Sequence, residues 1–360
     1  MSVIFKVESS SGPYQVLLGA GLQKKISNGL TFSISDENVT QLWRDLIPLD
    51  TFSILAIEQN KTLETSAEVI EVMRSRGIQR DSYLEAFGGG IIQDLATITA
   101  SLYMRGIKWT YYPTTLLGMV DSCIGGKSSI NVGSYKNIAG NFYPPEQIII
   151  DVEFCKTLDL TEQVAGLCEA IKICYAARTD SFDRYIEGFS GLSLPLSSDQ
   201  LLELIELSLL TKKTFVEEDE FDLGPRLLLN FGHTFGHAIE VATQFSITHG
   251  VAVGMGMLAE IRMDMTLNSW GQMPERAKSL DSYIRSLFKQ IPEMVYTIQD
   301  LDVSIALEAF QSDKKHSKQS YIIVMPDNTG HLERVSVPVT DDVNLMIREI
   351  FEWLKKDFLL

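Results

Sequence analysis

Apolar and polar residues alternate along the first part of the chain, and glycines and charged residues break the alternation at short intervals. "SVIFKVES" and "YQVLLGAG" place apolar residues at nearly every second position and predict two strands joined as a hairpin. "LTFSISDENV" and "TFSILAIEQ" read as strands that end in polar residues, whereas "TLETSAEVIEVMRSRG" has helical spacing and is closed by Gly77. "SYLEAFGGG" is a strand running into three glycines, "DLATITASLYM" has helical spacing, and "IKWTYYPTT" and "EQIIIDVE" are two more strands. Strands alternating with helices predict a mostly parallel, doubly wound sheet, a Rossmann-like α/β domain.

From Leu158 onward the period changes. "TEQVAGLCEAIKICYAA", "DQLLELIELSLLTKKTFVEED", "TFGHAIEVATQF", "GVAVGMGMLAEIRMDMTLNSW" and "RAKSLDSYIRSLFKQI" all repeat apolar residues every three to four positions and predict helices. Only "KQSYIIVMPD" and "GHLERVSVP" read as strands, as a small hairpin. The pattern therefore predicts two domains, residues 1–157 as the α/β unit and residues 158–360 as a mainly α-helical one.

Composition narrows the function classes. A formal net charge of −16 argues against a general electrostatic grip on nucleic acid or an anionic membrane, while leaving room for a local basic pocket. No window reaches 18 apolar residues, and the N-terminus lacks the apolar run of a signal peptide. Cys123, Cys155, Cys168 and Cys174 sit in apolar contexts without paired extracellular spacing, which predicts reduced, buried thiols and a cytoplasmic location.

Three stretches carry candidate chemistry. "FGGGIIQDLA" follows a strand and opens a helix, a place where backbone N–H groups can approach a phosphate, although it departs from the usual spaced-glycine pattern. Asp36 and Glu58, at strand ends, are candidates to meet ribose or adenine edges. The block from Tyr103 to Pro145 concentrates Arg105, Thr114, Thr115, Asp121, Lys127, Lys136 and Asn137 among glycines, which suits a phosphate or carboxylate ligand. In "GLCEAIKI", Glu169 and Lys172 share a helix face and can form a partly buried ion pair. His233 and His237 also share a face, and His249 follows. One Glu with two His would make an open, catalytic type of zinc site, and spacing leaves open which two histidines bind. Arg226 and Asn230, just before the histidines, and Lys212 suggest a cationic pocket for an anionic, hydroxylated small molecule.

In order along the chain, "GGGIIQD", "MRG", "PTTLLGMVDSCIGGKSSIN", "KNIAGNFYPP", "FCKTL", "GLCEAIK", "RLLLNFGHTFGHAIE", "HGVAVGMGM" and "SDKK" resemble the 3-dehydroquinate synthases and, more broadly, the sugar-phosphate cyclases. The resemblance spans Asp36 to Lys315. It implies a nucleotide-binding α/β domain followed by a helical metal- and substrate-binding domain, a homodimer, NAD as a recycled cofactor and a divalent metal, Zn or Co. Matched motif by motif, it implies Glu169, His233 and His249 as metal ligands, with His237 beside the metal or on the substrate side. It implies NAD contacts at Asp36, Asn38, Glu58, Lys61, Gly89, Gly90, Asp94, Thr114, Thr115, Asp121, Lys127, Lys136, Lys156 and Thr157. Substrate contacts fall on Arg105, Asp121, Lys127, Asn137, Lys172, Lys212, Arg226, Asn230 and one of Lys314 or Lys315.

The implied activity is that of a carbon–oxygen lyase of the shikimate pathway. A phosphorylated sugar acid, 3-deoxy-arabino-heptulosonate 7-phosphate, is oxidised transiently, loses phosphate, is reduced again and closes by an intramolecular aldol step. Lys127, Asn137 and Arg105 match the phosphate end, and Lys212, Arg226 and Asn230 the carboxylate end. Relatives acting on a neutral heptulose phosphate generally lose the arginine and asparagine kept here as Arg226 and Asn230. Two positions depart from the family pattern: Val251 stands where an acidic residue is usual, and Gln93 where a glycine is usual. The rival expectations are a cyclase for another sugar phosphate and a metal- and NAD-dependent polyol dehydrogenase.

Overall fold

The fold is given by a computed structural model, which describes residues 3–22, 30–133, 135–269 and 271–357. Two compact units emerge, one of residues 1–158 with 197–222, the other of residues 159–196 with 223–360.

In the first unit the alternating runs become strands β1 (Val3–Val7), β2 (Tyr14–Gly19), β3 (Thr31–Asp36), β4 (Phe52–Ile54), β5 (Tyr83–Gly88), β6 (Lys108–Pro113), β7 (Ile130–Val132), β8 (Tyr135–Ala139) and β9 (Gln147–Asp151). Seven form one sheet in the order β1-β2-β9-β6-β5-β3-β4. Every pairing from β2 to β4 is parallel, and β1 is antiparallel to β2 as the expected hairpin. Ile148, Ile149 and Ile150 of β9 are all buried, which is why that strand reads as a continuous apolar run. Helices α1 (Glu37–Leu42), α2 (Leu63–Ser75) and α3 (Gly90–Leu102) follow β3, β4 and β5, so the loops leaving the strands' carboxyl ends carry the glycine loop and Asp36. The polar block after β6 is more ordered than a loop, for it contains a single π-helical turn at Gly118–Ser122 and the β7–β8 hairpin.

The chain then runs through α4 (Leu160–Ala176) and α5 (Ser181–Phe189) and returns to the first unit as α6 (Ser198–Glu218). This corrects the expectation of an uninterrupted second domain over residues 158–360. Helical periodicity marks α6 as a helix but does not say which core its apolar face joins. That face buries Leu204, Ile205 and Leu209, and Ser208 donates to the carbonyl of Val120 at 3.0 Å, within the first unit.

The second unit continues with α7 (His233–Ala242), α8 (His249–Leu267), α9 (Glu275–Phe288), α10 (Pro292–Gln299), α11 (Val303–Gln311), the antiparallel pair β10 (Ser320–Pro326) and β11 (Leu332–Pro338), and α12 (Asp341–Asp357). Helices α4 and α8 are buried nearly all round, as their largely apolar sequences require. Glycines let three of these helices approach closely. A Cβ on Gly256 would lie 1.9 Å from the carbonyl oxygen of Gly232, and one on Gly250 would lie 2.2 Å from that of Ala165. The "HGVAVGMGM" glycines are therefore packing positions that press α8 against α7 and α4. Val251 is fully buried in the same helix. All four cysteines are buried and unbridged, and burial raises the thiols of Cys123 and Cys155 to about 12. Among the described residues no helix is long and apolar enough to cross a membrane.

Candidate functional site

The glycine contacts bring His233, His237 and His249 together, with one ring nitrogen of each within 4.8 Å of the others. The three rings have distinct surroundings. Nδ1 of His233 lies 3.2 Å from the carbonyl of Phe231. Burial, then the Lys172 cation and the neighbouring rings, hold His233 well below the usual histidine range, so the ring is neutral near pH 7. A neutral ring that donates through Nδ1 leaves an unprotonated Nε2, the form a metal takes. His249 places Nδ1 3.1 Å from Glu240 and Nε2 3.8 Å from Oε1 of Glu169. Burial pushes its pKa down, but Glu240 and Glu169 outweigh that and raise it. His237 is the most exposed of the three, at 45%, and its Nδ1 faces Asp313 at 3.9 Å.

Glu169 comes from the centre of α4. Its Oε2 pairs with Lys172, and both side chains are buried. Its Oε1 is buried and has no hydrogen-bond partner. An orphaned carboxylate oxygen 3.8 Å from the His249 Nε2, with the His233 ring 5.4 Å from that of His249, offers a donor set that a Zn2+ or Co2+ ion can complete, so the residues fit the metal that the sequence implies. Among the described residues, the histidine triple is the one cluster of its kind.

In the first unit the candidate NAD residues gather at the carboxyl ends of the parallel strands, the ordinary ligand position of such sheets. Asp36 ends β3 and accepts from the backbone N–H of Asn38 at 3.2 Å; burial is the largest influence on its carboxyl and raises its pKa. Gly89 precedes α3, where a Cβ would come 3.0 Å from the Thr115 methyl, and Gly90 faces open space. The Thr114 N–H donates to Gly88, and Thr115 Oγ1 accepts from Gly118. Lys156 pairs with Glu153 on the surface, and Thr157 accepts from the Trp43 indole.

Buried Lys61 ties much of this region together. It lies 3.6 Å from Glu58 and 3.3 Å from Asp94, and donates to Asn137 Oδ1 at 2.8 Å. Lys136 reaches Glu58 at 3.7 Å. Asn137 is held in a left-handed conformation, φ 50°, by Ser129 and Asn131. These contacts sustain a backbone conformation that side-chain-bearing residues seldom adopt.

Burial raises the Asp94 carboxyl to about 6, against the opposing pull of Lys61. Between its unfolded value near about 4 and about 6, the folded state binds more protons than the unfolded state. This contribution to stability is complete below about pH 4 and is lost as pH rises through about 6. Urea midpoints of the apoprotein should therefore lose a downward component across that window in Asp94→Asn, and an unchanged difference profile would rule this assignment out.

Of the candidate substrate residues, Arg105, Asp121, Lys127, Asn137 and Lys212 belong to the first unit. Lys212 is buried and forms an ion pair of 2.5 Å with Asp121, and Lys127 pairs with Asp222. Arg105 is exposed, and the backbone of Met104, Arg105 and Gly106 has positive φ throughout, at 47°, 67° and 114°. Lys172, Arg226, Asn230, His237, Lys314 and Lys315 belong to the second unit. Arg226 is buried. Asn230, Lys315 and Thr234 line one small pocket with Leu227 and Arg334. Of the two lysines left open by the sequence, Lys314 is exposed, whereas Lys315 turns inward to Asp313 at 3.4 Å and Thr234 at 3.3 Å.

Several residues that contact the candidates escaped sequence reasoning: Ser129, Asn131, Asp222, Glu240 and Asp313. Glu240 had a signal, since it lies three residues after His237 on the same helix face. Asp313 is adjacent to the two candidate lysines. The others are brought in by the fold and have no local pattern. Gln93, one of the departures from the family pattern, is buried and bonds Ser122 twice, donating to its carbonyl at 2.7 Å and accepting from its hydroxyl at 2.6 Å. It thereby ties α3 to the turn that carries Asp121.

Residues 51–165 match the family model for the 3-dehydroquinate synthase N-terminal region, and residues 166–316 match the C-terminal one. A 3-dehydroquinate synthase of Clostridium tetani (strain Massachusetts / E88) is 40% identical over 66% of this chain and 65% of its own length, so the chain matches just under two thirds of that relative. One of Alkaliphilus metalliredigens (strain QYMF) is 33% identical over 89% of this chain and 92% of its own. Among solved structures, 2-deoxy-scyllo-inosose synthase complexed with carbaglucose-6-phosphate, NAD+ and Co2+ has a TM-score of 0.78 at 21% identity, covering 97% of this chain and 99% of that one. The 2-epi-5-epi-valiolone synthase of Streptomyces hygroscopicus subsp. jinggangensis 5008, with NAD+ and Zn2+ bound, has a TM-score of 0.79 at 23% identity, covering 96% and 97%. At these identities the two structures show a shared fold.

Proposed function

Because the chain belongs to the 3-dehydroquinate synthase family, we propose that it is a carbon–oxygen lyase converting 3-deoxy-arabino-heptulosonate 7-phosphate to 3-dehydroquinate and inorganic phosphate. The observation that carries the reading is the orphaned Oε1 of Glu169, buried and 3.8 Å from Nε2 of His249, whose ring lies 5.4 Å from that of His233. Glu169, His233 and His249 hold the divalent metal, and the residues around Asp36, Gly89, Lys61 and Asp94 hold NAD. When bound, the metal supplies Lewis acidity at adjacent hydroxyls, and NAD takes up and returns one hydride.

The chain's own groups bind and orient the sugar acid. Arg226, Asn230 and Lys212 serve its carboxylate end; Lys127, Asn137 and Arg105 serve its phosphate end. Lys315, turned inward, is the substrate lysine of its pair. His237 handles a proton: Asp313 faces its Nδ1 and leaves Nε2 to exchange with substrate. Burial opposes ionisation of Asp313, but His237 and Lys315 outweigh it and keep the carboxyl anionic far into acid, so it can stabilise the imidazolium. The reading includes a homodimer that works in the cytoplasm, in keeping with the reduced thiols.

The test supplies purified protein with NAD+, Zn2+ and each candidate sugar phosphate, and follows inorganic phosphate. Release from the heptulosonate phosphate without net NADH is expected. Release only from a neutral heptulose phosphate would transfer the assignment to another cyclase, and stoichiometric NADH without phosphate would make the protein a dehydrogenase. Retention of Arg226 and Asn230 favours the carboxylate-bearing substrate over the neutral one.

A further inference from the structure

Glu260 lies on α8, three turns beyond His249, with none of its surface exposed. Among the described residues it forms no ion pair within 4 Å, and its Oε1 has no hydrogen-bond partner. Its Oε2 accepts from the backbone N–H of Gly232 at 2.5 Å, and the Thr234 N–H also faces the carboxylate. A buried carboxyl with an unpartnered oxygen is costly even when protonated, and a purely structural need would be met as well by an apolar side chain.

The geometry around Gly232 indicates what the acid does. Gly232 has φ 79°, in the left-handed region, and a Cβ there would come 2.5 Å from the carbonyl oxygen of Val253. Its N–H belongs to the same rigid peptide plane as the carbonyl of Phe231. That carbonyl faces Nδ1 of His233 at 3.2 Å. One peptide plane is therefore gripped from both sides, by Glu260 on its N–H and by His233 on its C=O. Any rotation of the plane that lost the first bond would lose the second.

We propose that Glu260 is a positioning residue for the metal ligand His233, acting through the Phe231–Gly232 peptide. By holding that plane it fixes the ring's orientation and the Nδ1–H tautomer, so that Nε2 keeps its lone pair aimed at the ion. The effect resembles that of the acid or carbonyl that usually backs a metal-bound imidazole, displaced by one peptide unit. Hydrogen bonds in series polarise one another, so the acid also makes the Phe231 carbonyl a better acceptor. Burial raises the Glu260 carboxyl to about 8, which leaves it largely protonated at neutral pH with Oε2 still accepting. A glutamine carbonyl can take over that role.

The proposal rests on the metal site assigned above, and the test separates the two. Co2+ affinity is measured by competition with a chelator, together with the visible Co2+ spectrum and the Tm, for the wild type, Glu260→Gln, Glu260→Met and Leu258→Ala. Met keeps the volume and removes the acceptor; Leu258, buried on the same helix, is a control for general loosening. We expect the Gln variant to stay within about threefold of wild type with the same spectrum. The Met variant should lose about 10- to 100-fold in affinity with an altered spectrum, the range seen when the partner of a metal-bound imidazole is removed. Leu258→Ala should lower the Tm and leave Co2+ binding intact. A Met variant that binds like wild type, or a Leu258→Ala variant that loses as much affinity as Met, overturns the proposal. If the Met variant does not fold, the Gln variant decides: loss of affinity or an altered spectrum there refutes the acceptor role. A wild type that binds no Co2+ would instead refute the metal site itself.

Discussion

Replacing Glu169 with alanine should abolish stoichiometric metal binding and lower turnover by at least about a thousandfold. The magnitude follows from the several kcal/mol that a Lewis-acidic ion contributes to a developing charge, at about 1.4 kcal/mol per tenfold in rate. The variant has a second consequence. Lys172 is buried and pairs with Glu169, so the truncation leaves an ammonium in the core without its partner. The protein should therefore be less stable as well as inactive. Glu169→Gln separates the effects, because it keeps a carbonyl oxygen for Lys172 and weakens only the ligand. Metal analysis of the purified variants, with Tm measured alongside, checks this. A Glu169→Ala protein that retains one metal per chain would show that the three histidines suffice and that Glu169 is only the counter-ion of Lys172.

Arg226→Ala should leave metal content near one per chain and reduce kcat/KM for the carboxylate-bearing substrate by about 30-fold to about 5,000-fold. That range corresponds to about 2–5 kcal/mol for truncating one partner of a buried, hydrogen-bonded charge pair. Arg226 is 5% exposed, so a charge that it meets is poorly screened by solvent and salt. Arg226→Lys should recover only part of the loss, because an ammonium cannot reproduce a two-pronged contact with a carboxylate. A neutral heptulose phosphate, tested side by side, should respond little to either substitution. Loss of metal from Arg226→Ala would contradict the role assigned to it.

Short apolar or alternating runs bounded by glycines and polar residues became the strands of the first unit, the central ones buried on both faces, and the three-to-four-residue repeats of the second half became helices. The site was legible where chemistry is local in sequence. Glu169 with Lys172, and His233 with His237, are helix neighbours, and the glycines after β5 follow directly from a strand. What brings His249 and Glu169 within 3.8 Å was not legible, because it depends on Gly250 meeting the backbone of Ala165, 85 positions away (250 − 165). The surroundings of Glu260 were hidden for the same reason: a carboxylate in a helix looks like a solvated face until its neighbours are known. The Met104–Arg105–Gly106 kink had only its glycine as a signal, since the two preceding residues adopt a backbone that side chains ordinarily avoid.

The return of α6 to the first unit has a consequence for biosynthesis. Residues 159–196 are made before residues 197–222, yet the latter complete the earlier unit. As the chain leaves the ribosome, the parallel sheet can form early, but Lys212 is not there to neutralise Asp121, nor Ser208 to satisfy the carbonyl of Val120. The nascent first unit must wait for more than sixty further residues, with the apolar surface destined for α6 still open to water and to chaperones. Gene fragments divided at Leu158 would inherit that open surface permanently. A separately produced first unit would need residues 197–222 supplied on a linker or as a second chain to cover that surface.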